Sequence, residues 1–158
     1  MAQLTKGDIQ KIQEEIEYRK LVVRKEARAH GDLSENFEYH AAKKDKNQNE
    51  SRIHYLERLI KTAHVISDDS AEDEVGMNNQ VELYFEEEDV TETYKLVTTV
   101  RENSLKGLIS NESPLGKAIM GHKVGERVLV EVSPSNGYHV TIRSIQKTTD
   151  EDETLRRY

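Results

Sequence analysis

The chain has 158 residues with no Cys, no Trp and two Pro, a length that suits one domain or two small ones. Charged residues make up 34% and apolar residues 35%, at a mean hydropathy of -0.81, which is too polar for one compact globule and points to an elongated, solvated element. No apolar run exceeds Leu21-Val22-Val23, Met1 to Lys6 lacks the apolar core of a secretory signal, and zero Cys excludes disulfides, thiolate zinc sites and Cys nucleophiles, so a cytoplasmic protein with no membrane partner is expected.

Thr5 to Ala29 contains no Pro, and Ile9, Ile12, Ile16 and Val23 recur at spacings of 3, 4 and 7, predicting a helix with a seam one apolar residue wide. Thr5 is its candidate cap, and Ala29-His30-Gly31 breaks the stripe. A second helix is predicted from Asp32 to Ile66, with Ile53, Leu56, Ile60 and Ala63 as its stripe and a polar middle, Lys43 to Glu50. Two narrow stripes joined by a short turn imply an antiparallel coiled-coil hairpin over residues 1–67. Residues 68–79 read as an acidic link. Strands follow at Val81-Leu83-Phe85, Tyr94-Leu96-Thr98, Val128 to Val132 and His139 to Ile145, with hairpin tips at Glu86 to Asp89 and Ser133 to Gly137. Ser113, Pro114 and Gly121 predict a short helix that Ser113 caps, Pro114 opens and Gly121 stops. The fold class is therefore α+β: the hairpin, then a small antiparallel β domain at 80–148 with one short helix, and a frayed polar tail at 149–158.

Net charge is uneven. Residues 1–67 hold 13 Lys and Arg against 11 Asp and Glu (net +2), and residues 68–158 hold 10 against 19 (net -9). An acidic chain does not coat nucleic acid nonspecifically, because that binding depends on displacing counterions with cations; a basic surface on another protein suits the acidic half better. The eight Gly never cluster into a phosphate loop, no two of the six His have metal-ligand spacing, and no nucleophile elbow occurs. A self-contained enzyme is not expected.

One stretch carries chemistry: His30-Gly-Asp-Leu-Ser-Glu-Asn-Phe-Glu-Tyr-His-Ala-Ala-Lys43. Asp32 as helix cap with Glu35 three residues on is a capping box, and two acids at a helix start are stabilising without any function. The same spacing also aims two carboxylates from one face at the tip of a long probe. They are too few to hold Mg²⁺ alone, since that ion takes six oxygens, but they could complete a metal site on a partner.

His30 to Ala42 resembles the tip motif of the GreA/GreB family of bacterial transcript cleavage factors, close to H-G-D-L-x-E-N-x-E-Y-x-x-A. Leu108-Ile-Ser-Asn-Glu-Ser-Pro-Leu-Gly-Lys-Ala118 is similar to that family's I-S-x-x-S-P-[IL]-[AG]-x-A segment. The resemblance implies an FKBP-like β domain and a monomer that binds RNA polymerase at a coiled coil on the rim of its secondary channel. The hairpin enters that channel, and the polymerase's own site cleaves the 3′ end of backtracked RNA. It gives Asp32 and Glu35 the role of helping to hold an Mg²⁺ shared with the polymerase, with no cofactor bound to the chain alone. Ser34, Asn36 and Tyr39 support the tip, and Lys43, Lys44, Lys46 and Arg52 become candidates for contact with RNA. Ser110, Ser113 and Pro114 become docking candidates. Asp45 and Glu50 dilute the basic patch, as in GreA more than in GreB. Against the family pattern the first arm is about one heptad short, Asn78-Asn79 stands where Gly-Ala is common, and Thr98 stands where Gly often follows Val. A channel-binding regulator that inhibits without cleavage, and a coiled-coil adaptor, are the competing functions.

Overall fold

The computed structural model describes residues 2–25, 37–149 and 154–156, and side chains within all of these except 37–42. The chain divides into two compact units, one of residues 1–2 and 6–64, the other of residues 3–5 and 65–158.

In the first unit, α1 (Lys6–Tyr18) continues into a π-helical turn, Arg19–Val23, and α2 spans Phe37–Lys61. Asp8 in the first turn of α1 and Arg58 and Lys61 in the last turn of α2 oppose the helix dipoles favourably. The helices lie side by side with contacts in opposite sequence order, Glu15 meeting Arg52 and Arg19 meeting Asn49. Ile12, Ile53 and Leu56 are buried, while Ile9, Ile16, Val23, Ile60 and Ala63 are half-buried, so the seam is as narrow as the stripes predict. The turn between the helices lies outside the described residues.

The periodicity carries the second helix to Ile66, but the chain leaves it at Lys61. Thr62 folds its hydroxyl back onto the Arg58 carbonyl (2.8 Å), and β-branched residues then favour an extended path. Two short strands, β1 (Gln3–Leu4) and β2 (His64–Val65), pair there, with the His64 amide donating to the Ala2 carbonyl and the Ile66 amide to that of Leu4 (each 2.8 Å). Neither strand shows a period that sequence could reveal.

The second unit is a curled five-stranded sheet, built from β3 (Asn79–Phe85), β4 (Val90–Val97), β5 (Leu108–Ser110), β6 (Arg127–Ser133) and β7 (Asn136–Lys147) in the order β5-β4-β3-β7-β6. The pairs are antiparallel except β4–β5, which is parallel and corrects the expectation of an all-antiparallel domain. Two 3₁₀ turns, Thr99–Arg101 and Ser104–Lys106, compress the crossover between these strands, and Gly107 closes it at φ 72°. The helix α3 (Pro114–Ile119) adds Ile119 to a core that includes Val81, Leu83, Leu96, Val128, Val130, Val140 and Ile142.

The acidic stretch at 68–79 is no mere spacer at its C-terminal end, since Val75 and Met77 join this core. Asn79 Oδ1 accepts from the Gly76 amide (2.7 Å) and from Lys147 Nζ (2.8 Å). The departures from the family pattern acquire reasons here. Asn78 sits at φ 66°, a left-handed conformation that Asn tolerates best after Gly, and Thr98 is extended (φ -74°, ψ 159°) and needs no glycine. In the tail, 154–156 lie against the first 3₁₀ turn, where the Arg156 amide bonds the Val100 carbonyl and its guanidinium lies 3.7 Å from Glu102. At Asn78, Gly should leave stability close to wild type, whereas β-branched Val should cost about 1–2 kcal/mol in urea unfolding.

Candidate functional site

The tip residues Asp32, Ser34, Glu35 and Asn36 lie outside the described residues, as does the side chain of Tyr39, whose backbone is in the first turn of α2. No group of three His, Asp or Glu among the described residues could hold a metal ion. The donor chemistry of the tip rests on sequence: two carboxylates offer the hard oxygens that Mg²⁺ prefers, yet only part of the six that it needs.

Lys43, Lys44 and Lys46 stand exposed on α2. Arg52, expected beside them as a contact for RNA phosphates, does not share their exposure. It is 6% exposed, and its Nε donates to Glu15 Oε2 (2.9 Å) and its Nη2 to Glu15 Oε1 (3.4 Å), with the guanidinium 5.3 Å from the centre of the Tyr55 ring. Arg19 Nε donates to the same Glu15 oxygen (2.8 Å), so one carboxylate lies between two guanidinium groups. Burial raises the Glu15 carboxyl, but hydrogen bonds from Arg52 and Arg19, and their charge, outweigh it and hold it below its usual value of 4.5.

The network continues through Asn49. Its Oδ1 accepts from Arg19 Nη1 (3.1 Å) and its Nδ2 donates to the Arg19 carbonyl (3.2 Å). Beside it, Arg24 pairs with Glu50 through two bonds of 2.7 Å. Sequence reasoning missed Glu15, Arg19 and Asn49, although a signal was present. Arg19 follows Ile16 by three and Asn49 precedes Ile53 by four, so both are seam positions occupied by polar residues.

In the second unit, Ser113 caps α3 as expected, its Oγ accepting from the Gly116 amide (3.1 Å) and donating to the Ser110 carbonyl (2.6 Å), with Pro114 exposed in the first turn and Gly121 at φ 80° beyond the helix. Ser110, a docking candidate, is instead 3% exposed; its Oγ bonds Thr99 Oγ1 (2.7 Å) and accepts from the Glu112 amide (3.0 Å). Its carbonyl would stand 2.1 Å from a Cβ on Gly116, so that glycine is needed for α3 to pack. Much of the Ser-x-x-Ser-Pro-Leu-Gly motif is thus structural, and of the three candidates Pro114 alone is fully at the surface.

A model of the N-terminal domain of transcription elongation factors matches residues 2–65, and one of the GreA/GreB C-terminal domain matches residues 69–147. The chain is 37% identical to transcription elongation factor GreA of Streptococcus pneumoniae serotype 19F (strain G54), over 92% of this chain and 95% of that one. It is 38% identical to that of Streptococcus thermophilus (strain ATCC BAA-491 / LMD-9), over 92% and 96%. The crystal structure of GreA factor homolog 1 of Thermus thermophilus is 25% identical over 92% of this chain and 98% of its own, at a TM-score of 0.41.

Replacing Gly116 by Ala should destabilise the second unit by about 1–3 kcal/mol through overpacking against the Ser110 carbonyl. Ser113→Ala should cost about 1 kcal/mol, the loss of a helix cap, and denaturant unfolding of the two variants checks both values.

Proposed function

The chain belongs to the transcription elongation factor GreA/GreB family, and from that premise we propose that it acts on bacterial RNA polymerase in the cytoplasm as a transcript cleavage factor. Its first unit is the coiled-coil hairpin that enters the secondary channel of a backtracked enzyme, and its second, FKBP-like unit docks at the coiled coil on the channel rim. The observation that carries this reading is the sequence from His30 to Ala42, in a chain whose two halves match the two family models.

On this reading, Asp32 and Glu35 are delivered in trans to the polymerase active site. The two carboxylates would supply oxygen ligands to an Mg²⁺ shared with the polymerase, and that ion would contribute Lewis-acid chemistry to the hydrolysis. The carboxylates would act as hard oxygen donors and make no covalent bond to the RNA. Hydrolysis of the phosphodiester within the polymerase frees a new RNA 3′ end, so this chain is a cofactor protein for another enzyme's chemistry. Ser34, Asn36 and Tyr39 are assigned the support of the tip on the family motif. The exposed ammonium groups of Lys43, Lys44 and Lys46 face phosphates of the extruded strand, whereas Arg52 is committed to Glu15. Pro114 belongs to the docking face, and Ser110 and Ser113 shape it from beneath.

The test is RNA release from a backtracked polymerase complex in Mg²⁺. Wild type should stimulate release, and Asp32→Asn/Glu35→Gln should abolish stimulation by about a hundredfold or more while binding the polymerase as before. Tight binding by wild type without any stimulation would overturn the cleavage reading in favour of a channel-blocking regulator.

A further inference from the structure

The apolar seam of the first unit is repetitive as well as narrow. Ile9, Ile12 and Ile16 on α1 face Ile53, Leu56 and Ile60 on α2, both sets at spacings of 3 and 4. A slide by one helical turn, about 5.4 Å, sets one branched aliphatic side chain where another stood, so the apolar contacts alone barely distinguish neighbouring registers. Something else must choose between them.

We propose that Asn49, locked onto the π turn of the first helix, fixes the longitudinal register of the two helices and thereby positions the tip acids. The first ground is the backbone at Arg19. Its carbonyl accepts from the Arg24 amide, a step of five residues that defines the π turn, where a regular helix would use the residue four on. This widened turn is where a side chain can enter the backbone ladder, and Asn49 Nδ2 donates to that same carbonyl (3.2 Å). The second ground is that the amide is used at both ends, since Asn49 Oδ1 accepts from Arg19 Nη1 (3.1 Å) while the residue is 3% exposed. The third is the adjoining Glu15 carboxylate, which ties Arg19 to Arg52 across the seam. A slide of one turn removes Asn49 from the only π turn among the described residues and buries its amide against Ile16 or Val23. Stranded buried polar groups disfavour that register, while the aliphatic contacts scarcely change.

Asp32 and Glu35 lie in the stretch 26–36 that joins the helices, so a displaced register changes where that stretch must start and end. Asn49 is accordingly a positioning residue. This functional half rests on the cleavage reading above; the register half does not.

The absence of Cys allows clean labelling. Gln13 and Gln48 are exposed on the two helices, so Gln13→Cys/Gln48→Cys carries two spin labels whose separation reports register. With Asn49 present, pulsed electron resonance should give one narrow distance. Asn49→Leu, which extends the aliphatic seam and should retain helix content and melting temperature, should add a population displaced by about 5 Å. Asn49→Asp, which keeps an acceptor for Arg19 but lacks the donor, should do the same. A single unchanged distance in both variants overturns the register role. In RNA release, unlabelled Asn49→Leu should lower the maximal rate by about tenfold or more with little change in the half-saturating concentration. A displaced distance with wild-type cleavage overturns the positioning of the tip. Failure of wild type itself to stimulate cleavage sinks the cleavage reading and leaves the distance result intact.

Discussion

A single carboxylate, Glu15, held between the guanidinium groups of Arg19 and Arg52, is the interaction on which the helical unit turns. Among the described apolar side chains of the two helices, Ile12, Ile53 and Leu56 are the fully buried ones, too little apolar surface to choose one alignment among several. The polar groups supply that choice because their demands are directional. Burial pushes the Glu15 carboxyl up, two guanidinium donors pull it down further, and the charged form prevails. A partly buried pair of this kind adds little net stability over an apolar one, yet removing Glu15 strands the buried Arg52, so its contribution lies in specificity. Asn49 extends the constraint to the backbone by bonding the Arg19 carbonyl, and the π turn becomes part of the packing rather than a defect within it.

The second unit obeys a different constraint. Its core depends on α3 lying close to the sheet, and the approach is set by backbone meeting backbone, Gly116 against the Ser110 carbonyl. Ser113 holds both ends of this contact, capping the helix with one hydrogen bond and anchoring to that carbonyl with another. A motif that reads in sequence as a docking surface is thus first a device for seating a short helix, and the surface it leaves for a partner is the outer side of the first turn, at Pro114.

Legibility in the sequence followed how local the cause was. The strand alternation at Val81 and Leu83, the cap at Ser113 and the stop at Gly121 depend on neighbours in sequence, and the structure has them where pattern and propensity place them. The β1–β2 pair, the parallel β5 and the burial of Val75 and Met77 depend on residues far apart in the chain, and no local period announces them. The tip is the reverse case: its chemistry was read from the residue types and the family motif, and the acids lie outside the described residues.

Arg52 shows why residue type alone misassigns function. It sits on one helix with Lys43, Lys44 and Lys46, and its positive charge alone does not separate it from them. Position on the helix does. Arg52 directly precedes Ile53 and faces the seam, so its charge is spent on Glu15, whereas the three lysines point into solvent. An exposed ammonium contributes little to folding, because water screens it and its side chain keeps its freedom. Such a group can be retained or lost without consequence for the fold, so its presence on an arm otherwise interleaved with acids is better explained by what the arm meets than by what the arm is. The two kinds of cation also differ in geometry. The planar fork of arginine can satisfy a partly buried carboxylate with several donors at once, while the compact, strongly hydrated charge of lysine stays in water. The helix thus places arginine at the seam and lysine in solvent.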